Sequence, residues 1–279
     1  MLGSLLSYEQ VANADREYPL DEKLQNYTQV PDIRGTFPDF GTCSFGRVEI
    51  LSLIEQFQFN FLDDSRWQFI VSGLKNTIII TFFAVLLGVF SGISDCHCRS
   101  THDKTGKLKI LNVICRVYLT VIRGTPTMVQ LLIVYYVIFA TVDPGKVIVA
   151  IIAFGMNSAA YVAEIVRSGI MSIDQGQFEA GRSLGLNYTQ TMTKIILPQA
   201  VKNILPALGN EMIVLLKETS ISGYIGLTDL TRGGDIIRSQ TYSALFPLLA
   251  VAAIYLVIVC FLTYLVGRLE RRLRNNERK

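Results

Sequence analysis

The amino-acid sequence predicts an all-α, polytopic membrane protein with five membrane-spanning helices. Half of its 279 residues are hydrophobic and only 18% are charged, whereas an ordinary soluble domain has about 25% charged residues. The apolar residues also form separate runs, and a helix needs roughly 20 mostly apolar residues to cross the hydrocarbon of a bilayer. Five such runs occupy residues 77–94, 125–142, 147–163, 204–224 and 239–267.

Four of the five runs contain no charged residue, whereas the run at 204–224 carries Glu211, Lys217 and Glu218. Charged side chains are costly in contact with lipid and usually face a cavity or another part of the protein. We therefore expect this run to cross the membrane with its charged side chains turned away from lipid.

The charge distribution predicts the orientation and the domain boundaries. Residues 15–66 contain ten acidic and five basic residues, whereas the tail 268–279 contains six basic and two acidic ones. Lys and Arg accumulate on the cytoplasmic side, so we place the N-terminus outside and the C-terminus in the cytoplasm. Residues 1–66 then form a polar extracytoplasmic segment, 67–270 the membrane domain and 271–279 a basic cytoplasmic tail. For residues 1–50 the alternative is a gene model that begins too early.

The connection between the third and fourth runs, residues 172–200, predicts a helix, a glycine and a second helix. The segment QFEAGRSLG has helical composition and ends at Gly185, which suits a left-handed helix cap. Asn187 is placed to cap the following helix. On the residues alone, an amphipathic helix lying in the membrane interface is the alternative. The side chains that this elbow would present outside the bilayer are Phe178, Leu184, Leu186 and Tyr188.

Within this connection, Glu179-Ala180-Gly181, followed by Gly185 and then by Ile195-x-Leu197-Pro198, resembles the EAA loop of ABC importer permeases. Gly181 replaces the second alanine of that motif, which lowers helix propensity by about 1 kcal/mol. Over residues 56–270 the chain is also similar to the polar amino acid permeases of the histidine, glutamine and arginine type. Segments such as VIRGTPTMVQLLIVYY and ILPALGNEMIVLLKETS carry this similarity, which residues 1–50 do not share.

The resemblance implies a type I ABC importer permease in a bacterial inner membrane, which translocates a polar amino acid. Its implied partners are a second permease subunit, identical or different, ATPase subunits, an extracytoplasmic amino-acid-binding protein and membrane lipid, with no nucleic acid. In this family the EAA loop forms a cytoplasmic coupling helix that docks on the ATPase. The implied coupling residues are Glu179, Ala180, Gly181, Gly185, Ile195, Leu197 and Pro198.

The chain contains no G-x-x-x-x-G-K-[ST] segment, the loop that cradles nucleotide phosphates in many ATPases. We therefore expect a non-catalytic subunit without a cofactor of its own, and ATP-Mg bound by a partner subunit.

Charged and hydroxyl side chains inside the apolar runs are candidates for the substrate pathway, because an amino acid carries both a cation and an anion. Glu164 and Arg167 are one helical turn apart, and an i,i+3 pair that braces the helix end is the alternative. Glu211 could likewise pair with Lys217 or with the partner subunit. The other pathway candidates follow at Lys217, Glu218, Thr219 and Ser220. Arg123-Gly124-Thr125-Pro126 predicts a helix break.

The stretch GISDCHCRSTHDK, residues 92–104, interrupts the membrane pattern, and we expect the first span to end near Ser94. Cys96, His97 and Cys98 resemble soft metal ligands. Structural zinc sites, however, pair C-x₂₋₄-C with a second ligand pair, so we expect no metal site. A pair of compensating frame errors over residues 93–98 is an alternative, because synonymous codons read one base later would encode the apolar sequence FLIAIV.

Three other functions compete with amino acid import. A permease for another small solute would share the same architecture. A secondary transporter would be expected to show repeat-related halves, which five spans cannot provide. A membrane metalloprotein would depend on Cys96, His97 and Cys98.

Overall fold

The computed structural model describes residues 53–105, 108–142 and 144–275, and it confirms the all-α class. Short π and 3₁₀ turns lie at Gln58–Leu62, Asp63–Ser65, Val134–Ile138, Met192–Ile196 and Thr219–Ile225. Most of the predicted segment 1–66 and the end of the tail 271–279 lie outside the described residues. The α-helices are α1 (Leu53–Phe57), α2 (Trp67–Thr105), α3 (Lys109–Gly124), α4 (Thr127–Ile133), α5 (Lys146–Met171), α6 (Gln175–Ser183), α7 (Tyr188–Thr191), α8 (Leu197–Glu218), α9 (Leu230–Thr241) and α10 (Leu245–Asn275).

Three helices in the described part of the chain are long and apolar enough to cross a membrane, over Trp67–Cys96, Lys146–Met171 and Leu245–Leu273. Helix α3 and the segment Thr127–Ile138 pass the same test together, but they are bent by 114° at their junction. Helix α8, which carries Lys202, Glu211, Lys217 and Glu218, is not among them. By length and composition the described residues thus contain three candidate spans, or four with the bent pair, and the predicted number of five is not confirmed.

Helix α2 extends beyond the first span. Its membrane-spanning stretch ends at Cys96, within two residues of the expected end near Ser94. The helix runs on through Asp95 and Cys96 to Thr105. Between Gly92 and Gly106 the sequence contains neither glycine nor proline, so nothing in it breaks a helix. Asp95 is accommodated because its Oδ1 accepts a hydrogen bond from Cys115 Sγ of α3 at 3.3 Å.

The break predicted at residues 123–126 is confirmed, although the boundaries of the second span are not. Helix α3 ends at Gly124, Thr125 and Pro126 are extended, and α4 begins at Thr127. Proline disfavours the α conformation at the residue before it, which explains why the break falls here. The apolar run therefore forms two helices that meet at an angle instead of one straight span.

The helices that contain the fourth and fifth apolar runs also begin at other residues than predicted. Helix α8 starts at Leu197, and Pro206 lies inside it. Residues 239–241 belong to the short helix α9, because Tyr242 adopts a left-handed conformation that ends it before α10 begins at Leu245.

Glycines let α2 and α5 pack closely side by side. A Cβ atom at Gly88 would lie 2.7 Å from Ser158 Oγ, and one at Gly92 would lie 2.8 Å from Ala159 O. The main core joins these helices to α4 and α8 around the fully buried Phe154 and Leu131.

Contacts between the helices define two ends of the bundle. At the first, here called the elbow end, Asn203 Nδ2 at the start of α8 donates to Ser172 Oγ after α5 at 2.9 Å. At the second, the far end, Lys146 Nζ donates to Gly226 O at 3.1 Å and Asn76 Nδ2 donates to Thr228 O at 2.8 Å. Helices α2, α5 and α10 run from the far end to the elbow end, and α8 runs back between them.

Candidate functional site

The elbow between α5 and α8 has the helix–glycine–helix form that the sequence predicts. Asp174 caps α6 by accepting the backbone N–H of Gly176 at 2.6 Å. Gly185 follows α6 with a φ of 75°, a conformation that glycine adopts without a Cβ penalty. Asn187 caps α7, since its Oδ1 accepts from Gln190 N and the Gln190 side chain accepts from Asn187 N, both at 2.9 Å. This capping box fixes the direction in which the chain leaves the elbow.

The elbow presents a mixed polar and apolar surface. Leu184 is 76% exposed and Tyr188 is 41% exposed. Phe178 and Leu186 are only half-buried, and the Phe178 ring stacks on that of Tyr188 with the centroids 6.1 Å apart. Of the four side chains predicted to point outward, Leu184 and Tyr188 are therefore the exposed ones, and Phe178 packs against Tyr188.

The predicted coupling residues separate into an outer and an inner set. Glu179, Ala180, Gly185, Leu197 and Pro198 are exposed, and Ile195 is half-buried. Gly181 is buried against Thr191, with a hypothetical Cβ only 2.6 Å from Thr191 Cγ2. Thr191 carries no motif signal, so the sequence did not point to it.

Glu164 lies in a cluster of charges near the elbow end. Its carboxylate accepts from Arg167 Nη2 at 2.8 Å, which is the i,i+3 pair considered as the alternative to a pathway role. Arg123 Nη1 lies 3.5 Å from the other oxygen, and its guanidinium sits 5.9 Å from the centre of the Tyr161 ring. Among the residues that the structure describes, the cluster therefore brings two guanidinium groups to the Glu164 carboxylate and joins the end of α3 to α5.

Glu211 lies near the middle of the bundle and is bound differently from the pairing considered in the sequence. Its Oε1 accepts from Ser158 Oγ at 3.2 Å, and within the described residues it has no ion pair with Lys217. Glu218 and Ser220 are half-buried, and Lys217 is exposed. Thr219 is fully buried and donates to Leu216 O at 2.7 Å, so its hydroxyl does not face a pathway in this conformation.

The structure does not bring the pathway candidates together at one point but distributes them along the bundle. Ser158, the partner of Glu211, precedes Glu164 by six residues on α5, which is about 9 Å along a helix. Glu211 therefore lies deeper than Glu164, and Lys217, Glu218 and Ser220 lie towards the far end. The arrangement offers polar groups at successive depths.

A buried amide network links this region to the helix break. Asn157 Nδ2 donates to Gln130 Oε1 at 3.1 Å, and Gln130 Nε2 donates to Ile122 O at 2.7 Å. Sequence reasoning missed both amides and Ser158, although polar residues inside the apolar runs 125–142 and 147–163 were a usable signal. Gln130 satisfies the backbone carbonyls of Ile122 and Thr125 at the break, and Asn157 holds the Gln130 side chain in place.

Among the residues that the structure describes, no group of three or more His, Cys, Asp or Glu side chains lies close enough to hold a metal ion. Cys98 and Cys115 are buried between α2 and α3. The side chains of His97 and His102 lie outside the described part of the structure.

Comparison of the sequence with known proteins identifies the family of this chain. The model of the family described as the binding-protein-dependent transport system inner membrane component matches residues 84–275. The chain belongs to this family. It is 36% identical over 207 residues to a putative glutamine transport system permease protein GlnP of Rickettsia typhi, covering 74% of this chain and 93% of that protein. It is 39% identical over 211 residues to the arginine transport system permease protein ArtQ of Bacillus subtilis, covering 75% and 94%.

A solved structure of the same kind supports the fold assignment. A chain from the crystal structure of an amino acid ABC transporter with histidines superposes with a TM-score of 0.69 and 42% sequence identity. The match covers 76% of this chain and 98% of that chain. The fold is therefore that of an ABC importer membrane component, as the EAA-like loop indicated.

Proposed function

We propose that the protein is the membrane-spanning subunit of an ABC importer that carries a polar amino acid, with ATP hydrolysed by a separate subunit docked on the elbow. The relatives are named for glutamine and arginine transport, which supports an amino acid as substrate. The observation that carries the mechanism is the elbow itself, a rigid, capped helix pair that projects Leu184 and Tyr188 from the end of the bundle.

The elbow suits docking because it is held to two different helices. Gln177 in α6 accepts from Gln199 Nε2 at the start of α8 at 3.4 Å. Asn203, also in α8, donates to Ser172 at the end of α5. A force on α6 is therefore passed to α5 and α8 together, and these helices carry the charged residues of the pathway.

We expect Leu184→Ala to weaken the association with the ATPase at least tenfold, because fully burying a leucine side chain against a partner is worth about 1.5–3 kcal/mol and about 1.4 kcal/mol is a factor of ten in affinity. The measurement is co-purification of the ATPase with the permease, followed by a titration of binding. Met171→Ala is the matched control, since Met171 is 68% exposed at the same end of the bundle but lies outside α6. Equal loss in both variants, or no loss in either, would contradict docking at Leu184.

For the pathway, we propose that Glu164, Arg167, Glu211, Lys217, Glu218 and Ser220 line or border the route of the substrate. Carboxylates attract the ammonium group of an amino acid, and cations attract its carboxylate. Lys217 and Asn210 are exposed on α8, on a helix with polar residues that cannot all face lipid. A second permease subunit covering this face would enclose the route between two copies.

The remaining partners and the orientation belong to the same proposal. The positive-inside distribution supports an elbow in the cytoplasm and a far end outside. An extracytoplasmic binding protein would then deliver the amino acid to the far end, where Lys146 and the loop around Gly226 lie.

A further inference from the structure

Gly181 and Thr191 form an unusually close contact between the two helices of the elbow. Gly181 is the buried residue of α6. A Cβ atom there would lie 2.6 Å from Thr191 Cγ2 and 2.7 Å from Thr191 Oγ1, whereas carbon atoms pack at about 3.5–4.0 Å. Thr191 is 2% exposed and its hydroxyl donates to Asn187 O at 3.1 Å. Its side chain is therefore fixed and cannot turn away from an added methyl group.

The contact explains why a glycine occupies this position of the motif. Glycine is a poorer helix former than alanine, so α6 alone would be more stable with alanine. Position 176, in the same helix, leaves more space for a methyl group than position 181. A Cβ atom at Gly176 would approach only the Asp174 carboxylate, at 3.0 Å. Position 181 requires glycine because Thr191 occupies the space that the alanine methyl group would need.

We propose that Thr191 is a positioning residue of the coupling loop, and that Gly181 and Thr191 are a matched pair that sets the distance between α6 and α7. This inference rests on the proposed docking of an ATPase on α6. Helix α7 continues through the π turn Met192–Ile196 into α8. A wider spacing of α6 and α7 would therefore change how movement of the docked α6 reaches α8.

The test compares four variants of the complete transporter, reconstituted with its ATPase and binding protein: Gly181→Ala, Thr191→Ala, the double variant and Gly176→Ala. The readout is the number of amino acid molecules taken up per ATP hydrolysed, at equal amounts of bound ATPase. Gly181→Ala should lower this ratio roughly tenfold, the scale of a single overpacking contact. Thr191→Ala in the same chain should restore it, because both clashing atoms, Oγ1 and Cγ2, are removed. Gly176→Ala should leave it unchanged.

Serine at position 191 provides a finer comparison. It keeps Oγ1 but lacks Cγ2, so Gly181→Ala combined with Thr191→Ser should recover only part of the ratio. A wild-type ratio in Gly181→Ala, or failure of Thr191→Ala to rescue it, would overturn the matched pair. If the wild-type complex itself shows no ATP-driven uptake, the proposed function fails instead. The pair is then tested by thermal unfolding, in which Gly181→Ala must lower the midpoint and Thr191→Ala must restore it.

Discussion

At the scale of single residues, Arg123 changes the interpretation of Glu164. The sequence showed only the neighbouring Arg167 and a simple pair within one helix turn. The structure adds a cation from α3, 3.5 Å from the same carboxylate, so the charge cluster joins two helices. All three side chains are between 31% and 45% exposed. Ion pairs at such exposure contribute less than about 1 kcal/mol to stability, which favours a role in transport over a role in folding.

We expect Glu164→Gln and Glu218→Gln each to reduce amino acid uptake roughly tenfold in vesicles. A charge-assisted hydrogen bond to a bound ammonium is worth about 1.5–3 kcal/mol, and the amide cannot replace it. The thermal unfolding midpoint should change little, because neither change alters the shape of the side chain. The measurement is the concentration dependence of uptake, with the unfolding midpoint recorded for the same samples.

Asp64→Asn provides the control for these variants. Asp64 is 80% exposed and is paired with Arg66 in the turn before α2, outside the helices α5 and α8 that carry Glu164 and Glu218. Its uptake should equal that of the wild type. Unchanged kinetics in both glutamine variants would remove Glu164 and Glu218 from the pathway.

At the scale of the helices, α9 depends on the buried N-cap Asp229. Its Oδ2 accepts from Thr231 N at 2.9 Å, while its Oδ1 is buried without a hydrogen-bond partner. Burial raises the pKa of Asp229 above its ordinary value of 3.8, and hydrogen bonds from Thr231 and Arg232 oppose this only in part. The folded state therefore holds the proton more strongly than the unfolded chain does.

Because folding raises the pKa of Asp229, we predict that the contribution of Asp229 to the free energy of unfolding is greatest below pH 3.8. It should decrease as the pH rises through the interval up to the raised pKa, and stay constant above it. Asp229→Ala should lower stability by about 1 kcal/mol, since a helix cap is lost. Asp229→Asn should keep the cap and abolish this pH dependence. Thermal unfolding in detergent across pH checks both, and an asparagine variant as unstable as the alanine one would contradict the capping role.

The helices also show how far sequence reasoning reaches. Apolar runs indicated where α2, α5 and α10 lie, because such runs have few other stable arrangements. Their ends were less predictable. Helix α2 continues nine residues past the membrane-spanning stretch that ends at Cys96, and the charged Asp95 within it finds a donor in Cys115 of a different helix. Such a tertiary contact leaves no trace in local composition.

Residues of the elbow and of the proposed pathway likewise differ in how far the sequence predicts them. Gly185 and Asn187 were predictable because their conformations follow from local chemistry. Ser158 and Thr191 were not, because their importance comes from Glu211 and Gly181, which lie 53 and 10 residues away in the chain. Spacing within one helix can reveal a pair such as Glu164 and Arg167, whereas a contact between helices requires the fold.

At the scale of the whole molecule, the bundle separates three tasks along its length. The elbow end carries the surface proposed to dock an ATPase, the middle holds Glu211 and the buried amides, and the far end gathers short loops around Lys146 and Gly226. Helices α5 and α8 connect all three levels. A movement imposed at the elbow would therefore reach the residues around Glu211 without crossing a flexible segment.

We propose that this chain imports an amino acid using ATP hydrolysed by another subunit. The most direct measurement is uptake of labelled L-glutamine and L-arginine into vesicles that contain the permease, with the ATPase, the binding protein and ATP added singly and together. We predict uptake of at least one of the two only when all the components are present, and none from an ion gradient alone. Uptake driven by an ion gradient in vesicles that contain this chain alone would contradict the account.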